Sequence, residues 1–95
     1  MTIFNYTFQF YSFPKSAEDE LMFYGNVPEK ASVICSLGAN TDEVVTPDMM
    51  REAVHSDIMK DTDLVNGLVT GDTKVACKVT KKVGIMKDTE IFILY

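Results

Sequence analysis

The chain has 95 residues, 46% apolar and 24% charged, with a net charge of −5. That length sustains one domain with one thin core, and the composition matches folded proteins and excludes a disordered chain. The acidic balance opposes generic binding to a phosphate backbone, and no apolar run approaches the roughly 20 residues that a membrane-spanning helix needs.

Thr2 to Phe13 reads as a long first strand. Phe4, Tyr6, Phe8 and Phe10 share one face, and Asn5, Thr7 and Gln9 share the other. Such alternation marks a half-buried strand. It degrades through Tyr11, Ser12 and Phe13, and Pro14 ends it. A short helix is expected over about 16–24. Ser16 is its N-cap, Glu18, Asp19 and Glu20 complement its dipole, and Gly25 stops it. It must lean on the sheet through Leu21, Met22 and Phe23 or Tyr24.

Ala31 to Leu37 reads as a second strand with Val33, Cys35 and Leu37 on one side, followed by a loop over residues 38–42. Thr46-Pro47-Asp48 then opens the main helix, expected over about 47–60. Thr46 caps it, and Pro47 sits where a missing amide costs nothing. Met50, Val54 and Ile58 form its apolar stripe, with Arg51, Glu52, Ser56 and Asp57 on the far side. Asn66-Gly67 between Leu64-Val65 and Leu68-Val69 signals a tight hairpin. A second turn signal at Thr70-Gly71-Asp72 competes with it.

Lys74 to Val83 reads as a strand with Val75, Cys77, Val79 and Val83 inward and Lys74, Lys78 and Lys82 outward. Lys81 interrupts the inward row. Thr89 to Tyr95 reads as a terminal strand. Ile91-Phe92-Ile93-Leu94 is apolar on both faces, which predicts a central position in the sheet. The expected fold is therefore α+β: a mostly antiparallel sheet of four to five strands, packed on one main amphipathic helix and one short helix.

Few residues invite chemistry. His55 is the sole histidine, on the flank of the main helix, and a Cys–His pair would require Cys35 or Cys77 beside it. Asp61-Thr62-Asp63 starts like a calcium loop, but Val65 takes the place of an oxygen ligand and the glycine comes one place late. The cysteines and the histidine lack zinc spacing, and the scattered glycines form no phosphate-binding fingerprint. No catalytic residue, metal or cofactor is expected. Free thiols and the lack of a basic, then apolar leader after Met1 suggest the cytoplasm.

The charge is polarised. Residues 1–72 carry twelve acids against four bases, whereas residues 73–95 carry five lysines against two acids. The lysine row Lys74, Lys78 and Lys82 has two readings: guards of an edge strand, or a patch facing an anion or an acidic partner. Ten aromatic residues exceed what so small a core covers, which makes Tyr11, Phe13 and Tyr24 candidates for an exposed contact surface.

The leading expectation is a non-enzymatic interaction protein that occludes a surface of a protein partner, as an inhibitor or regulator. Glu18, Asp19, Glu20, Tyr11, Phe13 and Tyr24 would be its contacts. Small acidic accessory proteins of phages and mobile elements offer a class-level analogy. The alternative is a ligand- or nucleotide-sequestering protein using the lysine row, which would need a homo-oligomer to enclose its ligand. Direct nucleic-acid binding and membrane association are not expected.

Overall fold

The computed structural model describes residues 3–95, the side chains of Met22, Phe23 and Tyr24 excepted. Four strands, β1 (Phe4–Pro14), β2 (Ser32–Thr41), β3 (Thr73–Val83) and β4 (Met86–Ile93), form one antiparallel sheet in the order β2-β1-β3-β4. Helix α1 (Glu18–Tyr24) follows a single 3-10 turn after β1. Helices α2 (Pro47–Met59) and α3 (Thr62–Thr70) lie between β2 and β3. The fold is α+β, with three helices on an open four-stranded sheet.

The main core lies under α2 and α3. Tyr6, Phe8 and Phe10 of β1 and Val75, Cys77 and Val79 of β3 meet Met50, Val54 and Ile58 of α2, Leu64 of α3, and Leu94. This is the aromatic row and the apolar helical stripe that the periodicities mark. The Thr46 hydroxyl accepts from the Met49 amide at 3.3 Å, so α2 begins at the expected cap.

A smaller core lies on the opposite face, where Leu21 of α1 covers Phe13 and Ala76, with Ile91 and Ile93 beside them. It explains three departures from the expected pattern. Alternation in β1 does not break after Phe10; the aromatic load passes to the other face, because α1 covers that face there. Phe13 is consequently buried, 2% exposed, and is not a surface contact. The doubly apolar end of β4 is likewise sandwiched, with Phe92 against the main core and Ile91 and Ile93 under α1. β4 is therefore an edge strand and not a central one.

Other expectations are corrected too. β2 continues through the segment expected to be a loop and ends at Thr41. A bulge at Ile34 shifts the register, so Cys35 and Leu37 face the main core beside Phe10 and Phe8, while Val33 pairs with Tyr11 on the opposite face and is 62% exposed. Ser16 lies in the 3-10 turn, and Ala17 precedes α1 without a side-chain cap; Gly25 ends α1 with φ +62°, as expected.

Asn66-Gly67 is not a hairpin but the middle of α3. Leu64, Val65 and Leu68 fall on one helical face against the core. The Asp61 carboxylate caps the helix, accepting from the Leu64 amide at 3.1 Å. Gly71, at φ +82°, closes it. A helical apolar period with signals at both ends outweighs one turn dipeptide.

Candidate interaction surfaces

The expected site residues fall in separate places. Asp19 and Glu20 are exposed and Glu18 half-buried in the first turn of α1. Tyr11 is half-buried on β1, Phe13 is core, and the side chain of Tyr24 lies outside the described residues. Of these contacts Phe13 is lost to the core, while Asp19 and Glu20 remain exposed.

Lys74, Lys78 and Lys82 do share one face of β3, because the β1–β3 register runs without a shift. The edge-guard reading fails, however. β3 is an interior strand, paired to β1 on one side and to β4 on the other, so it has no edge to guard. Lys87 of β4 stands directly opposite Lys82 and joins the row. Lys81 points to the helical face, where its ammonium lies 4.0 Å from the centre of the Phe4 ring and Asp88 stands across from it on β4. A cation over an aromatic face satisfies the charge that seemed to interrupt the inward row.

His55 is exposed on α2, beside Asp48, Arg51, Glu52 and Tyr95. Cys77 is completely buried in the main core, out of reach of such a residue. Both cysteines are free. In register, Cys35 and Cys77 flank Phe10 on either side. Two strand spacings, about 9.5 Å, therefore separate their backbones, too far for a disulfide. Burial pushes the Cys77 thiol up to about 12, with a smaller contribution from Cys35. Burial, then a hydrogen bond and charge from Asp57, push Cys35 up to about 11. Both are poor nucleophiles at neutral pH.

Asp61 caps α3 and Asp63 lies in that helix's first turn, so the calcium-like segment is a helix start. Among the described residues, no group of His, Cys, Asp and Glu is placed to hold a metal ion. No described helix is long and apolar enough to cross a membrane.

A further free surface is the outer edge of β2. The strand is ten residues long, Ser32–Thr41, and among the described residues pairs only with β1. It contains no charged residue and no proline. Its bulge sits near one end, leaving Cys35–Thr41 in regular register. The opposite edge, β4, carries Lys87, Asp88 and Glu90. Next to the β2 edge, on the helical face, is a cavity of about 230 Å3 with Phe8 and Phe10 in its floor and Ala39, Met49 and Ala53 around it. Leu37, 38% exposed, and Met49, 39% exposed, extend this apolar character outward.

The connection from β2 to α2 crosses beside this cavity, and the Tyr6 hydroxyl donates to the Glu43 carbonyl at 3.3 Å to fasten it. On its far side a second cavity, of about 190 Å3, is rimmed by Lys81, Asp88 and Glu90. The uncharged character of 32–41 was readable in the sequence; that this strand would lie at an edge was not. No protein-family model, curated protein or solved structure matches this chain.

Proposed function

We propose that the protein is a non-enzymatic binding domain that occludes a surface of a partner protein, as an inhibitor or regulator, by pairing the free edge of β2 with a strand of that partner. One observation carries the reading: ten residues of edge, without a partner among the described residues and with neither charge nor proline. Proteins ordinarily blunt such edges with lysine, proline or bulges, because a bare row of amides and carbonyls templates another strand. β4 has that charged protection, and the regular part of β2 lacks it. In strand addition, main-chain hydrogen bonds provide affinity and neighbouring pockets select alternate side chains. The apolar cavity beside Ala39 and Met49 suits that selection. Two unbridged thiols accord with the reducing cytoplasm as the place of action.

The test is crosslinking and capture from host extract, with a photoreactive residue at Ser36. A captured protein crosslinked through this strand, lost in Leu37→Lys and retained in the opposite-edge variant Glu90→Lys, supports the reading. Capture indifferent to Leu37→Lys overturns it. Crosslinking of the chain only to a second copy, with a dimer that Leu37→Lys dissociates, replaces the partner by self-association.

A further inference from the structure

The two acidic residues of the sheet, Asp88 and Glu90, both face the helices, since they pair with Lys81 and Val79. The other face of the sheet holds none among the described strand residues, although the chain has fourteen acids. Across its open end run Asn40, Asn5, Lys82 and Lys87 in one row, then Gly38, Thr7, Thr80 and Thr89, then Ser36, Gln9 and Lys78, the last row ending at Ile91 under α1. This end is an array of cations and neutral hydrogen-bonding groups. α1 covers only the far end, over Phe13 and Ala76, where Asp19 and Glu20 are exposed.

Edge protection accounts for Lys87 on β4 but gives no reason for Lys78 and Lys82 on the interior strand β3. Lys82 and Lys87 are direct cross-strand partners, a like-charge placement that destabilises a sheet. Among the described residues the ion pairs are Arg51–Asp48 and Lys60–Asp57, neither of which involves a sheet lysine. Lys78 lies about 13 Å along β3 from Lys82 by the strand rise, so the lysines do not converge on one small anion.

We propose that this open sheet face binds an acidic polypeptide segment, its carboxylates meeting Lys78, Lys82 and Lys87 and its main chain meeting Asn5, Gln9 and Thr80. Charge complementarity commits the face to an anionic occupant. A polypeptide fits better than a nucleic acid. Single strands are held by bases stacking on aromatic side chains, and among the described strand residues Tyr11, at the end α1 covers, is the one exposed or half-buried aromatic on this face. An extended peptide needs no stacking, and asparagine, glutamine and threonine serve its amides and carbonyls. The site is a face and not an edge, so it stands independently of strand addition at β2.

The test is fluorescence anisotropy at low salt with a labelled peptide of ten glutamates. Wild type binds it saturably, and added salt weakens binding. The Lys78→Glu/Lys82→Glu variant, its fold checked by its thermal transition, binds at least about tenfold more weakly, a loss of about 1.4 kcal/mol. Lys82→Gln shows a smaller loss without a reversed charge. Lys60→Glu changes the net charge equally to a single reversal but lies on the helical side of the chain, and it retains binding, as does the edge variant Leu37→Lys. Absence of saturable binding overturns the proposal. So does an equal loss in Lys60→Glu, which would reduce it to net charge, and so does tighter binding of an oligothymidylate of the same charge through the same lysines.

Discussion

Gly67, in the middle of α3, lies against Thr73, the first residue of β3: a methyl group at Gly67 would stand 2.8 Å from the Thr73 Cβ and closer still to its hydroxyl. The chain reverses between them through Gly71, and both the Gly71 and Asp72 amides bond the Gly67 carbonyl. The glycine is there to let the helix close on the strand and not to turn the chain.

Gly67→Ala is therefore expected to destabilise the protein despite alanine's better helix propensity. Overpacking costs about 1–3 kcal/mol, and the propensity gain returns at most about 1 kcal/mol. Denaturant unfolding should show a lowered midpoint. A Thr73→Gly background, which removes the opposing atoms, should turn the alanine from harmful to neutral or better.

The helix caps should be measurable individually. Asp61→Ala removes the acceptor for the Leu64 amide, and Thr46→Ala that for Met49. Each is expected to lower stability by about 1 kcal/mol. Asp63→Ala, which removes only a favourable charge from the first turn, should lose about half of that or less. Unfolding curves of the three variants under one buffer would rank them.

Arg51 was expected on the solvent side of α2, yet its Nε donates to the Leu94 carbonyl at 2.9 Å and a terminal nitrogen meets Asp48. It fastens the C-terminal residues to the helix. Arg51→Met, keeping the apolar stem, should cost about 1–2 kcal/mol through the lost charged hydrogen bond. Asp48→Ala should cost less than about 1 kcal/mol, since that ion pair is solvated. Hydrogen exchange at the end of β4 should quicken in the first variant and not in the second.

The thiols predict loss of stability in alkali. Both cysteines are raised in the folded chain, from near 9 to about 11 for Cys35 and about 12 for Cys77. The unfolded chain releases these protons first, so the folded state binds more protons above pH 9. Their contribution is complete below pH 9 and declines as pH rises towards 12. Cys77→Ala should flatten this decline, seen in thermal transitions recorded across that range. Asp57→Ala removes the hydrogen bond and the charge that hold Cys35 up, so native-state alkylation of Cys35 should accelerate.

Much of the fold was legible from local pattern. The aromatic row of β1, the stripe and cap of α2, the glycine stop of α1 and the inward row of β3 are short-range features: alternate residues must face one side of a strand, and every third or fourth residue one side of a helix. Legibility failed where a distant element changed what a residue meets. Phe13 looked available for contact until α1 covered it. The Asn66-Gly67 dipeptide carries a turn signal, but its glycine answers to Thr73, which leaves no room for a side chain.

The candidate surfaces divide in the same way. By itself the sequence determined that residues 32–41 are uncharged and that Lys74, Lys78 and Lys82 fall on one side of a strand, because composition and alternation are properties of the chain alone. Only the tertiary structure decided that β2 lies at an edge and β3 inside, and that Lys87 completes the row opposite Lys82. Strand order is set by which long-range pairings bury the most apolar surface together. Nothing within one strand records its neighbours.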